Sequence, residues 1–265
     1  MASVTARIKE VKQPKGGYIK PSQFRKIIYN DGIDLGEENL HPSIIGIVVD
    51  YLTRYMSGDD IEEAFKISIL GYKARLMLLG PDILKKDQKK KIDILYLLNQ
   101  ITDLDDESIV AACKACTYDV WLRNPMGAMM AKGAEETEPD IATIENIRTM
   151  VNRSLNFWEI YGPVTVDGFT FETDGYTDVV DSGDGDYLTA DTLWDFKVSK
   201  SNPTSKNTLQ LLMYWIMGKH SCKDEFKGIN KLGFFNPRLN IVYLLDMDSV
   251  PAEVIKEVEN EVICY

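Results

Sequence analysis

The stretch that decides the fold is Thr192-Leu-Trp-Asp-Phe-Lys-Val198. Apolar and polar residues alternate in it, and successive side chains of a β-strand point to opposite faces of a sheet. Asp195 and Lys197 should therefore project from one face, whereas Trp194 and Phe196 project from the other. We expect the apolar face to be buried, which leaves an acid and an amine together on a polar face.

The sequence on both sides of this strand predicts further strands and helices. An Asp167-Gly168 pair between alternating segments is typical of a tight hairpin turn. Residues 182–186 are rich in Gly and Asp and are expected to form a loop. Strands are predicted at 164–166, 169–171, 176–181, 192–198, 231–236 and 240–246, and helices at 204–219 and 251–262.

The first half of the chain has the apolar periodicity of helices. The predicted helices are 42–57, 60–79, 92–101, 105–122 and 140–161. We therefore expect an α/β fold, with a mixed β-sheet flanked by helices and a helical N-terminal half. Residues 1–265 are interpreted as a single domain, in which 1–17 form a flexible or extended basic arm and 58–161 a helical insertion.

The charge of the chain limits how it could bind nucleic acid. The formal net charge is −11, which argues against a protein that coats DNA nonspecifically, because phosphate binding needs Lys and Arg. Basic residues are concentrated in residues 1–30 and in a lysine run over 85–91. The absence of a long apolar run or a signal-like N-terminus predicts a cytoplasmic protein without a membrane partner.

The cysteines and histidines offer little metal-binding pattern. Cys113 and Cys116 form a CxxC within a helical segment, and Cys222 and Cys264 are distant in sequence. The CxxC allows a zinc or iron–sulfur site, but it favours reduced structural thiols, which are the expected state in the cytosol. The two histidines, His41 and His220, lie in no ligand pattern, so a histidine-based zinc hydrolase is not expected.

A second acid can join Asp195 if the predicted strands pair. Asp178 lies in the strand predicted at 176–181, so the two carboxylates could converge, and two close carboxylates repel unless a cation separates them. Mg²⁺ or Mn²⁺ suits such an oxygen site. Lys197 could then orient a water or stabilise developing charge. Gln210 and Tyr214, four residues apart on a helix, would point together.

Three spaced motifs resemble a known family. Gly175-x-x-Asp178, Asp195-x-Lys197 and Gln210-x-x-x-Tyr214 resemble the PD-(D/E)xK nuclease superfamily, in particular its RecB-like exonuclease branch. The segment Gly46–Asp50 is similar to the GxxxH helix of that branch, with Asp in place of His. The iron–sulfur cysteine spacing of some members is missing, so no cluster is expected.

The resemblance implies a restriction-endonuclease-like core and a role for each matched residue. Asp178, Asp195 and the Phe196 carbonyl would bind Mg²⁺ or Mn²⁺, with Asp50 in the place of a histidine ligand. Lys197 would be the catalytic lysine. Gln210 and Tyr214 would support the site or contact DNA.

The function expected from this resemblance is a Mg²⁺- or Mn²⁺-dependent deoxyribonuclease. The motifs favour an exonuclease, and the expected setting is phage or bacterial DNA recombination, repair or defence, in a bacterial or phage-infected cytoplasm. DNA is the expected partner, and a homo-oligomer or recombination and defence proteins stay open. Two alternatives remain: a non-catalytic interaction or DNA-mimic protein on a nuclease fold, and a nuclease subunit active only in a complex.

Overall fold

A six-stranded mixed β-sheet flanked by helices forms the centre of the α/β fold in the computed structural model, which describes residues 2–265. The strands are β1 (Ala2–Ser3), β2 (Arg25–Ile28), β3 (Val166–Phe169), β4 (Val180–Ser182), β5 (Gly185–Leu188), β6 (Thr192–Phe196), β7 (Lys231–Asn236) and β8 (Ile241–Asp246). The sheet order is β2-β8-β7-β6-β5-β3. Strands β6 and β7 are parallel, and the other neighbours are antiparallel. Strands β1 and β4 form a separate parallel pair.

The helices follow the predicted pattern with more interruptions. They are α1 (Val4–Glu10), α2 (Pro42–Met56), α3 (Ile61–Ala64), α4 (Lys66–Leu79), α5 (Asp82–Lys90), α6 (Ile94–Asn99), α7 (Asp106–Cys116), α8 (Asp119–Arg123), α9 (Pro125–Ala128), α10 (Ile141–Tyr161), α11 (Ser205–His220) and α12 (Ala252–Glu257). A π-helical segment, Val258–Ile263, continues α12. Within residues 2–265, no helix combines the length and apolar character needed to cross a membrane.

The chain divides into two compact units. The sheet unit comprises the chain up to Asp31 together with Phe157–Tyr265, and the helical unit is Gly32–Asn156. The inserted segment thus begins earlier than the 58–161 expected from sequence. The reason lies in α2, whose buried residues Ile45, Val48 and Leu52 belong to a helix that packs against α7 of the helical unit.

The two faces of the sheet are covered by different helices. Leu188 and Leu193 belong to a core cluster that also contains residues of α11, such as Leu212. Trp194 belongs to a second cluster with Phe157 of α10. The alternation in β6 is therefore confirmed, because Leu193 and Trp194 enter opposite layers.

The N-terminal segment is part of the core, so the expected flexible or extended arm is wrong. The Ser3 hydroxyl accepts a hydrogen bond from the Ala6 N–H and caps α1. Val4 and Ile8, one helical turn apart, are buried in the cluster that contains α11. Arg7 is also engaged, since its Nε donates to the Val262 carbonyl at 2.8 Å.

The hairpin predicted around Asp167-Gly168 is wrong as well. Val166 to Phe169 form one strand, β3, which pairs with β5 rather than turning back on itself. Phe169 lies opposite Gly185, and a Cβ at Gly185 would come within 2.0 Å of the Phe169 ring. The ring thus covers a glycine that is distant in sequence, a contact that no local turn pattern reveals.

Candidate active site

Strand β6 brings Asp195 and Lys197 together on the face toward α11. The Lys197 Nζ donates to Asp195 Oδ1 at 2.8 Å, which confirms that the two side chains share a face. The Asp195 side chain is only 4% exposed, whereas that of Lys197 is 31% exposed. The amine therefore connects a buried carboxylate to the surface.

The second oxygen of Asp195 is buried without a partner. Asp195 Oδ2 has no hydrogen-bond donor within the described residues. Buried polar atoms in proteins are nearly always paired, because an unpaired one costs desolvation free energy. This oxygen is therefore suited to a cation or another donor supplied from outside the chain.

A second carboxylate stands across from Asp195 on β5. Tyr187 pairs with Trp194 and Leu188 with Leu193, so one step further along this antiparallel register Asp186 lies opposite Asp195. The Phe196 N–H donates to Asp186 Oδ2 at 2.8 Å, which fixes this carboxylate beside β6. Asp186 was not among the predicted site residues, because residues 182–186 were expected to form a loop, whereas β5 begins at Gly185.

A signal for Asp186 was present in the sequence. Gly183-Asp184-Gly185-Asp186 is a second Gly-x-x-Asp, eight residues after the first. The two motifs differ in where their strands lie. Asp186 belongs to β5, which is the antiparallel neighbour of β6, whereas the strand after Asp178, β4, belongs to the separate sheet.

Asp178 does not lie on a strand beside β6. The strand expected at 176–181 is instead β4, Val180–Ser182, which pairs with β1 in the separate sheet. Thr177 causes this, because its Oγ1 accepts hydrogen bonds from the N–H groups of Val179 and Val180 and forms a turn. Asp178 is exposed, and among residues 2–265 no hydrogen bond or ion pair joins it to Asp195.

Burial and neighbouring charges shift the pKa values of both Asp195 and Lys197. Burial raises the pKa of the Asp195 carboxyl, and the Lys197 ammonium offsets only part of that rise. Burial acts to lower the pKa of Lys197, but the carboxylates of Asp195 and Asp186 raise it, and the net shift is upward. Lys197 is therefore an ammonium at neutral pH that lies close to the carboxylates of Asp195 and Asp186.

Helix α11 adds the predicted Gln210–Tyr214 pair. The Gln210 Nε2 donates to the Tyr214 hydroxyl at 2.9 Å, which confirms their common orientation. Burial raises the pKa of Tyr214, and the nearby carboxylates of Asp195, Asp184 and Asp186 add to the rise. Tyr214 is thus a neutral phenol close to the acids.

The remaining predicted ligands are not tested by this geometry. Asp50 belongs to the helical unit, where its Oδ1 accepts from Arg54 Nε at 3.2 Å, and its metal role stays a prediction. The Phe196 carbonyl as a ligand also stays a prediction. The four cysteines are free, and burial raises the pKa of the Cys113 thiol to about 12.

The residues present fit a small cation with few protein ligands. In the described part of the chain, no group of three or more His, Cys, Asp or Glu side chains is arranged to hold a metal. Mg²⁺, however, usually keeps several waters and takes only one or two carboxylates. Asp186 and Asp195 supply such a pair of carboxylates. The unpartnered Oδ2 of Asp195 is available as a ligand atom.

Comparisons with known proteins give no relative. No family model matches the sequence, and no curated protein or solved structure matches the chain. The geometry of the sheet unit therefore carries the functional argument.

Proposed function

We propose that the protein is a metal-dependent nuclease that hydrolyses DNA phosphodiester bonds with Mg²⁺ or Mn²⁺. The observation that carries the proposal is the buried, unpartnered Oδ2 of Asp195, with Asp186 on the neighbouring strand and Lys197 beside it. A mixed sheet flanked by helices is also the architecture expected of a restriction-endonuclease-like core.

In this proposal the acids hold the cation and Lys197 serves the reaction. Asp186 takes the ligand position that the motif assigned to Asp178, and Asp195 is its partner, with the Phe196 carbonyl next to them. When bound, the cation acidifies a water and offsets charge on the scissile phosphate. The Lys197 ammonium stabilises negative charge that develops during attack.

Helix α11 supports this arrangement. The Gln210 amide holds the Tyr214 hydroxyl in place, so the phenol can donate its proton to a carboxylate or a phosphate oxygen. Its raised pKa keeps that proton on the phenol at neutral pH. Tyr214 therefore positions polar groups and does not supply charge.

The biological setting follows only from the motif resemblance. We propose an exonuclease acting in phage or bacterial DNA recombination, repair or defence. The net charge of −11 requires DNA to be held through local basic groups rather than the whole surface.

Four single substitutions test the proposal and separate Asp186 from Asp178. Asp186→Asn, Asp195→Asn and Lys197→Ala should each lower Mn²⁺-dependent cleavage of linear DNA by at least about a hundredfold, because each removes charge from the site. Asp178→Asn should cleave within about twofold of the wild type. Single-turnover cleavage of end-labelled DNA gives the rates.

Asp178→Asn is the matched control, because it makes the same chemical change at an exposed acid. Full activity in Asp195→Asn would contradict the proposal. Loss in Asp178→Asn with full activity in Asp186→Asn would return the ligand position to Asp178. Mn²⁺ binding without cleavage by the wild type would instead favour a subunit active only in a complex.

A further inference from the structure

The helical unit contains a cavity that the proposed catalysis does not use. Its volume is about 420 Å³, within the range of sites for small ligands. Helices α4, α5 and α8 and the segment 128–136 contribute its lining. The residues that matter for its chemistry are Arg75, Lys86, Trp121, Met129 and Lys132.

One wall of the cavity is aromatic and held in place by an arginine. The Arg75 guanidinium lies 5.8 Å from the centre of the Trp121 ring and 5.6 Å from that of Tyr118. Asp87 forms an ion pair with Arg75, so the charge of this buried acid is compensated. Trp121 is half-buried and lines the cavity, as does Met129, so the lining offers apolar surface to a flat ring.

The lining also carries cations that are not used within the protein. In the described chain, neither Lys86 nor Lys132 forms an ion pair. The acids of the lining interact with other lining residues, because Glu135 pairs with Lys90 and Glu136 accepts from the Gly133 N–H. An anionic ligand is therefore favoured, although the chain as a whole is strongly acidic.

We propose that this cavity binds a nucleotide of single-stranded DNA. The base stacks against Trp121, and the phosphate lies between Lys86 and Lys132. Aromatic stacking combined with backbone cations is the usual way in which proteins hold single strands without sequence preference. The inference goes beyond the proposed catalysis, since it concerns binding by the helical unit without a metal.

The test is binding of a fluorescein-labelled oligothymidylate to the full chain in EDTA, measured by anisotropy. Trp121→Leu should weaken binding roughly tenfold, whereas Trp121→Phe, which keeps a ring, should lose much less. Lys86→Ala with Lys132→Ala should reduce the dependence of log affinity on log salt by about 0.7, because the neutralisation of one phosphate is lost. Circular dichroism checks that each variant is folded.

The matched control is Lys85→Ala with Lys89→Ala, which removes two lysines from the same helix, α5, but none from the cavity lining. This control should retain the wild-type salt dependence of binding.

Competition with thymidine monophosphate distinguishes the two possible ligands. If thymidine monophosphate competes at equal concentration, the cavity binds a free nucleotide, and if it does not compete, the cavity binds a nucleotide within the single strand. No binding by the wild type, or wild-type binding by Trp121→Leu and the cavity lysine pair, would overturn the inference. Because binding is measured in EDTA, where the proposed metal-dependent cleavage does not occur, this result is independent of the catalytic proposal.

Discussion

At the scale of one residue, the Asp195 carboxylate affects both the stability of the fold and the proposed binding of a cation. It is 3% exposed, one of its oxygens has no partner, and Asp186 lies across from it. Removing one partner of a buried ion pair destabilises the folded state, whereas a ligand that binds only the folded state stabilises it. Removing the charge of Asp195 should therefore change the free energy of unfolding by different amounts in metal-free and metal-loaded protein.

Without metal, Asp195→Asn should lower the free energy of unfolding by up to about 3 kcal/mol, because it leaves the Lys197 ammonium without its buried partner, although Lys197 is partly exposed. With Mn²⁺ at about a hundred times its Kd, the wild type should gain about 2.7 kcal/mol and the variant almost nothing. Thermal unfolding with and without Mn²⁺ measures this. An equal Mn²⁺-dependent rise in both proteins would place the cation elsewhere.

Residue spacing predicted some of these side chains and missed others for a physical reason. Asp195 and Lys197 follow from strand alternation, and Gln210 with Tyr214 from the helical repeat. Asp186 depends on which strand pairs with β6, and the position of β5 in the sheet involves contacts outside the local sequence, such as Phe169 of β3 opposite Gly185. Only Gly175-x-x-Asp178 was predicted to belong to the site, because a sequence motif does not show which strand will lie beside β6.

At the scale of elements, Asp191 joins the β5–β6 turn to the start of β7. Its Oδ2 accepts from Lys231 Nζ at 2.6 Å, and its carbonyl accepts from the N–H groups of Asn230 and Lys231. Burial acts to raise the pKa of Asp191, but hydrogen bonds from Lys231 and Thr192 lower it, and the net shift is downward. The ionised carboxylate is therefore the form that stabilises the fold.

Because the folded pKa is depressed, this stabilisation is present above the unfolded pKa of about 3.9 and is lost as pH falls through the folded pKa. Asp191→Asn should lower the free energy of unfolding at pH 7 by less than about 1 kcal/mol, since the pair is partly exposed. The difference from wild type should vanish in stronger acid. Urea titrations across pH measure it, with exposed Asp248→Asn as the control. A pH-independent difference would show that the charge is not the cause.

Elements with strong local periodicity were predicted well, and short strands were not. Helix α11 and strands β7 and β8 lie close to their expected limits because each carries a clear apolar pattern. Strand β5 has only four residues, one of them Gly185, and it follows an acidic stretch typical of a loop. Strand β5 is stabilised by pairing with β3 and β6, and a local sequence pattern does not show which strands will pair.

At the scale of the whole molecule, the N-terminal segment stabilises the sheet unit. Deleting the first eleven residues removes Val4 and Ile8 from the core and Arg7 from the Val262 carbonyl. At about 1.5–3 kcal/mol for each buried aliphatic side chain, unfolding should become easier by several kcal/mol. Differential scanning calorimetry should show a clearly lower Tm.

A free basic arm would behave in the opposite way. Its deletion would leave Tm unchanged and weaken DNA binding, and that result would contradict the structure. Lys12→Ala with Lys15→Ala is the control, because both lysines are exposed and their loss should leave Tm unchanged.

The pairing of β2 with β8 also determines the order in which the protein can fold during synthesis. Residues 25–28 leave the ribosome early but have no strand partner until residues 241–246 emerge, about two hundred residues later, and such distant contacts slow folding. The compact segment Gly32–Asn156 emerges in between and can complete its own contacts first. In newly made chains, the inserted helices should therefore fold while the edge strand Arg25–Ile28 is still unpaired. During this stage the strand, which includes the exposed Ile28, is accessible to chaperones.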